Sequence, residues 1–571
     1  MKILINHLGY EATGYKKAVI QGSQKIVLLE CKLVNYNSQE VVLNLPVTEI
    51  GSVDNWKDFL YWEIDFSSFI DSGRFYLQIE YAEEIVRSEP FFIEKNLIYN
   101  KTFSDVLAGF KIMRSSGKYD RSDYSTDVYG SKDKKLDLHG GWYDASGDTS
   151  KYLSHLSYAN YMNPQQTPLV VWGLLSSLTE LEKQGSKKGE DFRERLIEES
   201  LHGADFLVRM QADRGYFYMI LFDQWNKDID NRMVCSYSGQ DGKRSENYQA
   251  GYRQGGGMAI AALARASAIN VDGDFTSEQY LKVAESGFLH LQEHNLEYLN
   301  DGEENIIDDY CALFAASELY NATSKDIYIK AAEHRAGNLI NRLTQDKNYA
   351  NWWKADSKGD IPYFHASDAG MPVLSLLRFI EVIPNTSFKE LVLDAVKASL
   401  NLELSLSSEV NNPFGYARQY VKGLSSESRS SFFIPHDNWS GYWWQGENAR
   451  IASLSSAAFS AATYFKSDTV FVKNLNEYSQ NQLNWILGLN PYDICMVQGF
   501  GRNNPEYESE WRNFPGGIVN GITAGFLDES DIDFLPPEAA DKGDHRWRWS
   551  EQWLPHAIWY LVALSKLELS N

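Results

Sequence analysis

Two carboxylates four residues apart, Asp144 and Asp148, stand in the stretch Gly140-Gly141-Trp142-Tyr143-Asp144-Ala145-Ser146-Gly147-Asp148. Its glycines allow positive φ and a close approach of backbone to ligand. Asp and Ser in such a stretch also hydrogen-bond their own backbone, so a solvated Asx-turn is the plain alternative. The chemical reading is a water-activating pair. One carboxylate takes a proton from water, its neighbour holds that water, and the like charges raise one of the two pKa values. Such a pair does not cleave a sugar linkage unaided, because an acid must protonate the leaving oxygen. Glu551 is the candidate acid. It lies in Arg546-Trp547-Arg548-Trp549-Ser550-Glu551-Gln552-Trp553, among three tryptophans, where a carboxyl is expected to hold its proton near neutrality. An idle Glu favoured by a helix dipole fits the same local residues.

Other stretches offer contacts to a sugar. Asn438–Asn448 is the densest aromatic run, with Trp439, Tyr442, Trp443 and Trp444 as a platform and Glu447 as a hydroxyl partner. A buried aromatic cluster competes with that reading. Trp142, Tyr143, Trp547 and Trp549 flank the candidate acids and are read as substrate contacts. Tyr252 and Arg253 belong to a Gly-rich loop, 245–257, before a helix. It has neither Gly-Lys-Ser/Thr nor Rossmann spacing, which argues against nucleotide and for close helix packing or a sugar-facing loop. His365 and Asp437 complete the candidate substrate set, although residues of these types are more often structural. Asp308-Asp309-Tyr310 opens an apolar helix, where acids suit the N-terminus and lack the wider Asp-rich pattern of a magnesium–diphosphate site.

The elements that must position these residues fall into two groups. The chain has 571 residues, enough for more than one domain. Up to residue 97 the segments 25–29, 41–45, 75–79 and 90–93 read as short strands, implying a sandwich of about seven. From residue 98 the apolar period becomes helical, in segments such as 103–113, 169–181, 258–268, 307–319, 451–464 and 554–564. The tally is about twelve helices. Long aromatic and Gly-rich loops (116–167, 213–256, 345–368, 407–446 and 489–552) fall at alternate helix junctions. A toroid of helix pairs with its long loops on one face would show that alternation, and long loops in a compact domain are usually functional.

The formal charge of −23 argues against nucleic acid and anionic membranes as partners. The 16 Trp and 34 Tyr suit sugar rings, whose C–H faces pack on indole and phenol. Four scattered Cys show no metal-ligand spacing and read as reduced, partly buried thiols. Asn6, His7 and Gly9 interrupt the N-terminus before a signal-peptide core, and no apolar run approaches the roughly 18 residues of a membrane span. The expected location is cytoplasmic.

Several segments together resemble glycoside hydrolase family 9. Ile5-Asn6-His7-Leu8-Gly9-Tyr10 and Gly73-Arg74-Phe75-Tyr76-Leu77 are similar to the N-terminal immunoglobulin-like domain of its endoglucanase-D type. Gly140–Asp148 resembles the family's Gly-Gly-Trp-x-Asp-Ala-Gly-Asp signature. Tyr252–Gly257, Asp308–Ala312, Ile486–Pro491 and Pro515–Val519 look like further family segments, and Ser550-Glu551 falls where the family has Asn-Glu. The resemblance implies an immunoglobulin-like β-sandwich at 1–97 and an (α/α)6 barrel at 98–571. It also implies inverting hydrolysis of a β-glycoside, with Asp148 as base, Asp144 helping to hold the water and Glu551 as acid. No cofactor follows from this chemistry, and no metal ligand set stands out.

The signature here is one residue longer, Asp-Ala-Ser-Gly-Asp, which loosens the division of labour between the two Asp. The His/Arg-rich sugar-binding segment of the family's endoglucanases is replaced after Gly499-Phe500-Gly501 by 502–511. These departures resemble an intracellular exo-acting branch that includes exo-β-D-glucosaminidases and β-glucosidases. The expected activity is an exo-β-D-glucosaminidase on chitosan oligosaccharides, with Asp437, Glu447 or Asp144 receiving the substrate amine. An endo-β-1,4-glucanase or β-glucosidase is the alternative on the same scaffold, and a non-catalytic carbohydrate-binding protein is the alternative of another class.

Overall fold

The computed structural model describes the chain apart from residues 29, 57–58, 82–83, 156–161, 186, 240, 441–445, 508–512, 541–545 and 568–571. Among the described residues ten strands precede the first helix: β1 (Lys2–Leu4), β2 (Gly9–Glu11), β3 (Lys17–Gly22), β4 (Glu30–Asn35), β5 (Val41–Pro46), β6 (Thr48–Gly51), β7 (Leu60–Asp65), β8 (Gly73–Tyr81), β9 (Glu84–Arg87) and β10 (Phe91–Glu94). One sheet has the order β1-β3-β7-β6 and the other β2-β10-β8-β4-β5, with β9 also pairing β8. Ile3, Ile20, Leu33, Trp62, Leu77 and Ile93 fill the space between them. The strand count exceeds the expected seven partly because the N-terminal segment changes sheets between β1 and β2. Gly9 makes that crossing possible: its φ is +112°, and a Cβ there would collide with the Phe92 carbonyl. The expected strand at 25–29 is not formed at 25–28. Ile26 and Leu28 do insert into the sandwich core, but among the described residues no strand pairs with their backbone.

Twelve long helices follow among the described residues. They are α1 (Leu97–Met113), α2 (Thr167–Lys183), α3 (Lys187–Arg209), α4 (Gly257–Ala268), α5 (Ser277–Tyr298), α6 (Ile306–Thr323), α7 (Asp326–Ile340), α8 (Met371–Val382), α9 (Lys389–Ser408), α10 (Asn448–Ala462), α11 (Thr469–Ile486) and α12 (Leu554–Lys566). The even-numbered helices pack in sequence, α2 on α4, α4 on α6, and so on until α12 returns to α2. Each odd-numbered helix packs outside that ring. This is the (α/α)6 barrel that the resemblance implies, and it agrees with the tally of about twelve helices. The inner helices are buried nearly all round, as Met258–Ala264 of α4 shows, so they read as apolar runs and not as stripes. Small side chains let them approach: a Cβ at Gly257 would already press on Cys311 of α6.

The long loops lead into inner helices, so they gather at one end of the barrel, over the N-termini of α2, α4, α8, α10 and α12. Two family-like segments meet where sandwich joins barrel. His7 N donates to Leu487 O at 2.9 Å, and Asn6 Nδ2 to Asn484 Oδ1 at 2.9 Å. Trp56 of the sandwich inserts among Phe414, Phe432 and Trp485 of the barrel. All four cysteines are free and buried. No described helix is long and apolar enough to cross a membrane.

Candidate active site

Gly140 and Gly141, at φ +81° and +71°, turn the chain out of its approach to the barrel mouth. Trp142 then anchors the loop: it is fully buried, and its Nε1 donates to Glu199 Oε1 at 2.8 Å. Beyond it the backbone closes on itself, with Asp148 N donating to Ala145 O at 3.2 Å. Both candidate carboxylates are buried. Asp144 Oδ1 accepts from Trp553 Nε1 at 3.0 Å, and the Gln166 amide, turned to suit its neighbours, donates to the same oxygen at 2.8 Å. Asp148 accepts from Ser150 N at 2.8 Å and from the Tyr152 hydroxyl at 2.9 Å.

Glu551 reaches this turn from the far end of the chain. Ser146 N donates to Gln552 O at 2.8 Å, and Gln552 N donates back to Ser146 Oγ at 3.0 Å. Leu554 N donates to Asp144 O at 3.2 Å. These bonds bolt the turn to the segment entering α12. They leave the Glu551 carboxylate against Gly147, whose N–H it accepts at 3.1 Å. Ser146 is the residue by which the turn is longer than the family signature, and it makes two of the bonds that fix the turn beside Glu551.

Burial dominates the electrostatics. It raises Glu551 to about 8, with the Asp148 charge adding to the effect. It raises Asp148 to about 6, with Asp223 adding, and it raises Asp144 well above the usual carboxylate range, with Asp148 adding. Asp223 is held by Ser150 Oγ at 3.0 Å, Trp225 N at 3.0 Å and the Thr149 hydroxyl. Below it, Asp123 pairs with Lys151 at 2.8 Å and Arg232 at 2.6 Å, a buried ionic cluster that seats the turn. His155 leans on Tyr152 and places Nε2 at 3.6 Å from Asp144 Oδ2, and burial lowers its pKa to about 3, so it is neutral. Asp144, Asp148 and His155 each present one ligand atom within 4.8 Å of the others, a grouping with metal-ligand character that sequence reading did not single out. At neutral pH the site therefore offers an ionised Asp148 and a protonated Glu551.

Several residues expected to touch substrate do other work. Trp142 is core, as described. Tyr143 is buried, its hydroxyl bridging the Ser116 backbone at 3.0 and 3.2 Å. Tyr252 is enclosed and accepts from Gln292 at 2.6 Å, while Arg253 pairs with Asp301 at 2.7 Å and Asp308 at 3.2 Å. Those contacts tie the Gly-rich loop to the start of α6, where Asp308 also caps the helix, so this loop serves helix packing. His365 is buried and accepts from Ser367 N and Asp368 N at 3.0 and 2.8 Å. Glu447 is buried, paired with Arg450 at 2.6 Å and bonded to Ile434 N at 3.0 Å, so it is unavailable to a substrate amine. Trp549 is buried with Nε1 on Thr523 at 2.9 Å. Trp439 and Trp547 are half-buried and Asp437 is exposed. Tyr442, Trp443 and Trp444 lie outside the described residues. Sequence reading counted Trp553 only as one of the three tryptophans around Glu551 and passed over Tyr152, Gln166, His155 and Asp223. Tyr152, four residues after Asp148, was the one with a local signal.

Gly147 supplies a prediction. Its φ is not positive, so alanine fits the backbone, but a Cβ would occupy the place of Glu551 Oε1. Gly147→Ala is expected to lower kcat/KM about a hundredfold by displacing the acid, with the thermal melt little changed. Steady-state rates beside a melting curve check it.

A barrel of six helix pairs, led by an immunoglobulin-like sandwich and carrying acids at its mouth, defines a glycoside hydrolase. Residues 99–509 match the family model described as glycosyl hydrolase family 9, and residues 1–84 match the cellulase N-terminal ig-like domain. The chain belongs to glycosyl hydrolase family 9. Glu551 lies beyond the matched region. The chain is similar to a cellodextrinase of Butyrivibrio fibrisolvens, 24% identical over 578 residues that cover 92% of this chain and 91% of that one. Its fold is similar to a metagenome-derived glycoside hydrolase family 9 endoglucanase (TM-score 0.67, 16% identity, 99% and 98% of the two chains). It is also similar to endoglucanase CelQ from Clostridium thermocellum, solved with cellotriose (TM-score 0.51, 15% identity, 83% and 71%).

Proposed function

We propose that the chain is an inverting exo-β-glycosidase of short β-linked oligosaccharides, with Glu551 as general acid, Asp148 as general base and Asp144 holding the attacking water. One observation carries this reading: Glu551 and the Asp144/Asp148 turn, some 400 residues apart in sequence, meet at the Gly147 N–H at the mouth of the barrel. A base must be ionised and an acid protonated. Asp148, raised to about 6, and Glu551, raised to about 8, satisfy both conditions between those values. Asp144, held by Trp553 and Gln166, suits the helper's role.

For the sugar at the cleaved end, the favoured reading is glucosamine. The crowded acids Asp144, Asp148 and Asp223 would welcome a cationic ring substituent, with Asp144 or the exposed Asp437 as its partner. The cellodextrinase relative favours a second reading, glucose in cello-oligosaccharides. A screen of aryl β-glycosides decides between them. Faster turnover of the glucosaminide than of the glucoside supports the first reading, the reverse order supports the second, and turnover of neither overturns both. Release of single sugars without loss of polymer viscosity supports exo action over endo action.

A further inference from the structure

We propose that Tyr507 is a positioning residue of the reaction: its ring caps the Glu551 carboxyl and keeps water from it. This rests on the reading of Glu551 as the acid. A Cβ built on Gly147 would meet three atoms of two side chains: Glu551 Oε1, Tyr507 Oη at 2.9 Å and Tyr507 Cε1 at 3.2 Å. The phenol edge and the carboxyl oxygen therefore converge on one point of the turn. Tyr507 is half-buried there and belongs to the 502–511 stretch that follows Gly499-Phe500-Gly501.

Glu551 is faced on its other sides by the Gly147 N–H, by Asp148 and, more weakly, Asp144 of the turn, and by Lys227 of the loop after Asp223. Asp148 and burial favour its protonated form, while Gly147 and Lys227 favour the ionised form. Burial is the largest of these influences, and on this proposal the ring supplies part of it. Removing it admits water and releases the proton at lower pH.

Tyr507→Ala and Tyr507→Phe test the cap through the pH dependence of kcat/KM on an unactivated oligosaccharide. The alanine variant is expected to shift the alkaline limb down by about one pH unit or more, and phenylalanine to leave it in place. Tyr507→Gln, which keeps bulk but brings polar atoms, gives the same shift where the alanine variant does not fold. An unmoved limb in the alanine variant, or an equal shift in phenylalanine, overturns the cap. Absence of any β-glycoside hydrolysis by the wild-type chain overturns the functional reading and the cap with it. Hydrolysis with a limb indifferent to Tyr507→Ala overturns the cap alone.

Discussion

Glu551→Gln is expected to reduce turnover of oligosaccharides about a thousandfold or more while leaving 2,4-dinitrophenyl glycosides within about tenfold of wild type. A sugar alkoxide is a poor leaving group and needs the proton that Glu551 supplies, whereas dinitrophenolate does not. The pH profile carries the same signature. Glu551 is raised to about 8 by burial and then by Asp148, so it holds its proton below that value. Activity on oligosaccharides falls as pH rises through it. With the activated substrate the Gln variant loses that alkaline limb. Equal losses on both substrates would show that Glu551 does something other than donate a proton.

Asp148→Asn is expected to cost about a thousandfold or more on every substrate, activated ones included, because no leaving group compensates for water that is not deprotonated. The acidic limb belongs to this residue. Burial and Asp223 raise it to about 6, so activity rises as pH passes upward through that value. Asp144→Asn is the comparison. Asp144 is held by Trp553 and Gln166, and burial pushes it toward its protonated form; as the residue that holds the water and does not deprotonate it, its loss should be the smaller. A larger loss at Asp144 would assign the base to that residue, and rates of the two variants on one activated glycoside suffice to tell.

The helical ring was legible because inner helices such as α4 and α6 are long apolar runs and because the long loops alternate with short ones. Asp144 and Asp148 stood out as candidates by a local pattern of glycines, whereas Glu551 was singled out by the family resemblance, because an idle Glu at a helix start fits its local residues; the fold brings Glu551 to the Gly147 N–H between the two Asp. The sugar contacts were far less so. An aromatic side chain that seats a loop and one that lines a cleft have the same sequence neighbours: Trp549 turns inward to Thr523, and Trp547, two residues earlier, is half-exposed. Glu447 read as a hydroxyl partner, yet Arg450 one turn along the helix claims it. Asp223, which tunes Asp148, is 75 residues away and no local pattern announces it. Ser146 shows the reverse case: its extra length looked like a departure, and its bonds to Gln552 give that length a purpose.

The account turns on water entering from the side of the sugar opposite Glu551. The most direct measurement is proton NMR of the products in the first minutes of hydrolysis of a β-glycoside, before mutarotation. The account predicts that the α-anomer appears first and the β-anomer only later. Initial release of the β-anomer would mean that a carboxylate attacks the sugar itself, and would contradict the assignment of Asp148 as a base acting through water.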